Sequence, residues 1–196
     1  YSGMFAAWLH KALARMGNSM SDSARSAFTE RVELDYSSAN NELQKLSLLV
    51  GDRKVITEAD VMRAIGSSRV GTQIAFAKAL GNRQLKEALE LLARLLASDQ
   101  KALQITSQIN RTFLTIYHIL LMKAAHLSPS EISGKHLMDI FADQRKHYMG
   151  FAQKYTLPQL EKILAILLDT DSKLKSTHAS DAVLLTTCIL KIIDTV

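Results

Sequence analysis

The residues of this 196-residue sequence whose types could do chemistry are six histidines, one cysteine and a few acidic positions. The histidines show neither the HExxH nor the HxxxH spacing that places two imidazoles on one helix face for zinc. Cys188 lies between Thr187 and Ile189 in an apolar stretch with no nearby histidine motif, a poor setting for a nucleophilic thiolate. A lone cysteine has no intramolecular partner, so it reads as a buried thiol in a reducing compartment. Neither a GxxxxGK[ST] phosphate loop nor a GxGxxG turn occurs. Thr57, Glu58, Ala59 and Asp60 form a T-x-x-D pattern ahead of Val61, Met62 and Ile65, which reads as a capping box rather than a catalytic or metal site. The expectation is a chain with no catalytic residue, no cofactor and no metal.

What remains is binding, and charge is the first guide to it. The net charge of +5 is unevenly placed: residues 1 to 66 hold eight Lys and Arg against eight Asp and Glu, which leaves sixteen against eleven for the rest. Arg145, Lys146, His147 and Lys154 are the densest basic cluster, either a solvated face or a surface for nucleic acid or an acidic partner.

The elements that would position such a surface are helical. Two Pro, eight Gly and 6% aromatic residues, with Leu, Ala, Lys, Glu and Ile dominant, make an all-α composition. The longest uninterrupted stretch, from about Ala102 to Leu127, predicts a central helix. Gln104, Gln108, Arg111, Thr115 and His118 fall on one narrow stripe of it, and Ile105, Ile109, Phe113, Ile116 and Leu120 on a broad opposite arc. Asn110, Arg111, His118 and Lys123 interrupt any run of roughly 18 apolar residues, so it is not a membrane span. Without a signal peptide or lipidation motif the chain reads as cytoplasmic, and its start at Tyr1, inside an amphipathic pattern, suggests removal of something upstream.

Further helices are predicted at about Met4 to Met16, ended by Gly17 and Asn18; from a cap at Ser21 or Asp22 to about Val32; and from Ser38 to Val50. A short helix follows Thr57, and Gly66, Ser67 and Ser68 then mark a boundary between a small helical bundle (residues 1 to 66) and a larger helical domain (residues 70 to 196). In the larger part, Thr72 to Leu80 and Gln84 to Leu96 form a hairpin around Gly81 and Asn82. SPSEIS (128 to 133) starts a helix carrying Ile132, Leu137, Ile140 and Phe141, and a short helix surrounds Tyr148 and Phe151. Pro158 opens a helix with Leu160, Ile163, Leu164 and Leu167, and the last helix spans about Asp181 to Asp194. From the residues alone, two classes stay open: an interaction module in a larger assembly, and a helical DNA-binding regulator. The second would need a recognisable helix-turn-helix. The connecting LDYSS lacks the usual Gly turn and its surroundings are charge-balanced, which favours the first.

A collinear series of short patterns sharpens this. Asn41, Glu42, Leu43, Gln44, Lys45 and Leu46 make NELQKL, followed by Gly51 and then Ile56, Thr57, Asp60 and Val61. Ile74 to Leu80 come next, then Lys86, Ala88, Leu89, Leu92, Leu95 and Leu96, then Ile109 to Leu114, and late in the chain Asp171, Leu174, Lys175 and Ser176. In order and spacing this series resembles the C-terminal two domains of the delta subunit of the bacterial DNA polymerase III clamp loader. The related gamma/tau and delta-prime subunits share the three-domain plan and are the alternatives.

The resemblance implies that residues 1 to 66 are the small lid of an AAA+ fold and residues 70 to 196 the collar by which clamp-loader subunits join in a ring. It implies gamma/tau and delta-prime as partners through the collar, and the sliding clamp as partner through an N-terminal RecA-like domain that the sequence lacks. DNA would be bound weakly and nonspecifically at most, with no ATP hydrolysis or clamp opening by this part. The parent complex would be DNA polymerase III, a DNA-directed DNA polymerase and nucleotidyltransferase. Arg111 and His118 on the central helix, and Leu184 with Lys191 on the last, are the candidate interface residues, chosen because each can face outward beside apolar neighbours.

Overall fold

Capping side chains set several helix starts. In the computed structural model, Ser21 Oγ accepts from the Ala24 N–H at 3.1 Å and starts α2 (Asp22–Arg31), after α1 (Ser2–Arg15). Asp35 accepts from Ser38 N–H at 2.7 Å and starts α3 (Tyr36–Val50). Gly17, at φ +72°, ends α1 in the left-handed conformation that glycine adopts without Cβ strain. The structure describes all residues except 1, 33–34, 66–68, 99, 139, 141 and 196, and the side chains of 2–3, 69–70 and 142–143. The boundary read at Gly66, Ser67 and Ser68 lies outside the described residues.

Two compact units are present: Tyr1–Ile74 with Ser133–Lys146, and Ala75–Ile132 with His147–Val196. In the first, α2 and α3 pack on α4 (Glu58–Ile65), and α1 lies against α3. Their shared core holds Phe5, Leu9, Phe28, Leu43, Leu46, Val61 and Ile65. The fold is all-α, as the composition predicts, apart from one feature below the reach of periodicity. Strands β1 (Ser19–Met20) and β2 (Val55–Ile56) pair in parallel, Ser19 opposite Val55 and Met20 opposite Ile56. Each strand has only two residues, and each buries its second side chain.

Helix α5 (Arg69–Gly81) contributes to both units. The second unit continues with α6 (Leu85–Ala97) and α7 (Ala102–Ala124), the predicted central helix. Helix α8 (Pro129–Glu131) is a single turn with a full capping box, in which the Glu131 N–H donates to Ser128 Oγ at 3.3 Å and the Ser128 N–H to a Glu131 carboxylate oxygen at 3.0 Å. The helix expected to run on from SPSEIS instead widens into a π-helical turn, Ile132–His136. Helix α9 (Ala142–Phe151), like α5, has residues in both units. A second capping box, Thr156 with Gln159, starts α10 (Leu157–Ser176), and α11 (Asp181–Asp194) has the bounds its periodicity predicts. Helix α7 packs along α10, and α11 packs against α6, α7 and α10. Ile105, Ile109, Phe113 and Ile116 of α7, Leu160 and Ile163 of α10, and Leu185, Ile189 and Ile192 of α11 are fully buried. Among the described residues no helix is long and apolar enough to cross a membrane.

Candidate interaction surface

The groups with chemical potential are used by the fold. Asp60 is 7% exposed, accepts from the Arg53 guanidinium at 2.7 Å and from Thr57 N–H at 3.0 Å, and so has its pKa held down at about 2. That geometry is the predicted cap, reinforced by an ion pair. Cys188 is buried and its thiol pKa is pushed up by desolvation, so the thiolate a nucleophile needs is disfavoured. Among the described residues no three His, Cys, Asp or Glu side chains converge to hold a metal.

Of the basic cluster, Lys146 and Lys154 are exposed, whereas Arg145 and His147 are half-buried. Arg145 turns onto the backbone, donating from Nε to Ile140 O at 2.6 Å, from Nη1 to Ser133 O at 3.0 Å and from Nη2 to Met138 O at 3.3 Å. His147 stacks at 6.3 Å on Phe151, and Lys154 Nζ donates to Asn82 Oδ1 at 2.7 Å. Arg145 and His147 fall in different units.

In the second unit, the turn after α5 is a rigid corner. Gln84 N–H donates to Ala79 O at 2.9 Å and Arg83 N–H to Leu80 O at 3.0 Å, which closes the helix with Arg83 left-handed at φ +62°. This costs a non-glycine residue about 1 kcal/mol. The Arg83 guanidinium sits 4.5 Å from the centre of the Tyr155 ring, a cation–π contact of similar size, about 0.5–2 kcal/mol. Tyr155 is buried, donates its OH to Leu80 O at 2.7 Å and meets Phe113 of α7 edge-on at 5.7 Å. Its phenol pKa is pushed up to about 12 by burial, offset in part by Arg83. Gly81 is not the turn residue its type suggests. An added Cβ there would lie 2.5 Å from Phe151 Cδ2, so glycine is needed for close approach.

The polar stripe of α7 is partly outward, with Gln104 exposed and Gln108 and Thr115 half-buried. Arg111 and His118 are both exposed, as the stripe predicts. On the same helix Leu103 (43%) and Leu121 (41%) are exposed apolar residues. On α10, Leu168 is 72% exposed although its neighbour Leu167 is buried. Between the two helices runs a groove of about 470 Å³ lined by Thr106, Ser107, Asn110, Leu114, Leu164, Leu167, Leu168 and Asp171. Neither Arg111 nor His118 lines it. On α11, Lys191 is exposed and lines a second groove of about 440 Å³ with Leu85, Leu190, Ile193 and Asp194, whereas Leu184 is half-buried and outside it. The four candidates therefore share helices in pairs, and only Lys191 lines a groove. Leu168, Asn110 and Ser107 were not among the interface residues expected from the sequence. The available signal was the apolar run Ile163 to Leu168, which covers more of the helix circumference than one buried face needs.

Comparison with known proteins gives this surface its context. Residues 74–192, which include α6, α7, α10 and most of α11, match the family described as DNA polymerase III delta subunit, C-terminal domain. The chain belongs to this family. The delta-family fold extends over nearly the whole chain: the Bacillus subtilis DNA clamp loader delta protein (YqeN) superimposes on 94% of it with a TM-score of 0.76, at 21% sequence identity. The chain spans 54% of that protein's length. No curated protein sequence matches it. Membership in the delta family takes the place of the DNA-binding-regulator alternative, and it agrees with the resemblance carried by NELQKL and the patterns after it.

Proposed function

We propose that this chain is a clamp-loader assembly module of DNA replication, with residues 70 to 196 as a collar that joins other clamp-loader subunits and residues 1 to 66 as an AAA+ lid-like domain. The observation that carries the reading is the delta-family match over residues 74–192, which coincides with the helices bearing the two grooves. Gamma/tau and delta-prime collars are the partners it calls for, in a cytoplasmic complex with DNA polymerase III as its parent. The interface would draw on exposed apolar side chains such as Leu168 and Leu190, with Arg111, His118, Leu184 and Lys191 at its margins. Exposed apolar residues beside cationic and polar ones are what the core and rim of such an interface require.

The module assembles without catalysing. The buried Cys188 and ion-paired Asp60 are engaged in the fold. DNA contact is expected to be weak and nonspecific, since the Arg145 guanidinium is committed to three backbone carbonyls. The test is co-elution of the chain with gamma/tau and delta-prime collars by size exclusion, with ATP hydrolysis assayed alongside. Association at tens of micromolar, about 6–7 kcal/mol, is expected. No association at that concentration, or ATPase activity from this chain, would overturn the reading.

A further inference from the structure

Helix α3 carries one acidic and one basic side chain, Glu42 and Lys45. Glu42 stands on the buried face with Ala39, Leu43 and Leu46 and is 3% exposed. An ionised carboxylate taken out of water is costly unless a partner charge and hydrogen bonds replace the water it loses. Lys45 Nζ donates to Glu42 Oε1 at 2.8 Å, while Glu42 Oε2 is buried with no hydrogen-bond partner. Among the described residues, the Lys45 ammonium is the carboxylate's sole partner.

The two ends of this pair lie in different surroundings. The Glu42 side chain is 4% exposed and that of Lys45 56%. Asn41 and Leu48, a turn before and a turn after Lys45, are also exposed, so the amine is open to reagents from solvent. A charge on which a buried group depends is therefore presented where chemistry can remove it. We propose that Lys45 is a regulatory acylation site, and that its neutralisation loosens the core around Leu43 and Leu46 by leaving Glu42 buried without a countercharge. The donor class is an acyl phosphate or a thioester. After the ammonium loses one proton to solvent, the Nζ lone pair bonds to the acyl carbonyl carbon. The bond from that carbon to the phosphate oxygen or thiol sulfur breaks, and its electron pair leaves with the phosphate or thiolate, which takes the surplus proton from nitrogen. The resulting amide retains one N–H but no charge. Removing one partner of a buried charge pair destabilises because the other stays buried and uncompensated. The inference does not depend on the assembly reading.

The full chain tests this in two ways. Lys45→Gln removes the charge and Lys45→Arg keeps it, and the fluorescence of Trp8, which packs on the same core, reports unfolding. K45Q should lower the urea midpoint by about 0.5–1 M, and K45R should keep most of the parent value. In a Glu42→Gln background, K45Q should produce less than about a third of that shift. The second arm needs no variant and decides the matter should E42Q not fold. The native chain is lightly acetylated with acetyl phosphate, brought to intermediate urea and given a brief protease pulse that cleaves unfolded chains. Mass spectrometry of the survivors should find acetylated Lys45 depleted about fivefold or more relative to acetylated Lys11, an exposed lysine of α1. No acetylation of Lys45 in the folded chain, equal survival of the two acetylated forms, K45R as destabilised as K45Q, or an undiminished K45Q shift beside E42Q would each overturn the proposal.

Discussion

Replacing Gly81 by Ala isolates the packing of the corner at the end of α5. The new Cβ would stand 2.5, 2.6 and 2.8 Å from Cδ2, Cγ and Cε2 of Phe151, distances that real Cβ contacts do not show. Phe151 is 3% exposed, so its ring has no solvent to swing into. Overpacking of this kind costs about 1–3 kcal/mol. Against it stands the better helix propensity of Ala, about 0.5–1 kcal/mol, reduced because Gly81 is the last residue of α5. The net expectation is a destabilisation of about 1–2 kcal/mol, or a fall in Tm of about 2–8 °C for a chain of this size.

Urea unfolding followed by far-UV circular dichroism measures the effect, read as a shift in midpoint at unchanged slope. The single tryptophan, Trp8, belongs to the first unit, so its fluorescence monitors that unit separately. The decisive arm is a double-mutant cycle. Phe151→Ala alone costs about 3–5 kcal/mol, but in that background G81A should be neutral or stabilising by up to about 1 kcal/mol, because the obstructing ring is gone. If G81A destabilises equally in both backgrounds, or stabilises the parent chain, close approach to Phe151 is not why glycine stands there.

The Asp60 pKa is about 2 when folded against 3.8 for the free side chain, so its stabilising contribution is present above about pH 4 and lost as pH falls toward 2. Asp60→Asn should therefore cost on the order of 1 kcal/mol near neutral pH, allowing for screening of the half-exposed Arg53, with the difference from the parent vanishing by pH 2 in acid titrations of stability. Tyr155→Phe leaves Leu80 O without its 2.7 Å donor and should lower stability by about 1–2 kcal/mol in urea, without loss of helicity. Leu168→Lys, at a side chain 72% exposed, should leave Tm within about 1 °C yet weaken collar association at least tenfold by titration. A large Tm loss would show that Leu168 serves the fold.

Residues 181 to 194 and the cap at Thr57 show what was legible in the sequence. A helix with regular apolar spacing, or with a cap three residues from its partner, is specified within a few turns, so α4, α10 and α11 were readable along with the buried faces of α7. The resemblance in collinear patterns was readable for a related reason, since order and spacing are properties of the chain itself. The two-residue pairing of Ser19–Met20 with Val55–Ile56 was not, because two residues carry no period and their partners lie 36 positions apart. Gly81 was taken for a turn residue because local chemistry cannot reveal a Phe151 ring brought against it from 70 positions away. Arg145 counted as surface charge until three carbonyls surrounded it, and nothing near Gln144 foretold that its amide would close a helix 112 residues earlier. Local hydrogen bonding and hydrophobic period determined the elements. Which side chains stayed outside, and which polar groups were consumed holding distant segments, was decided only when packing brought those segments together.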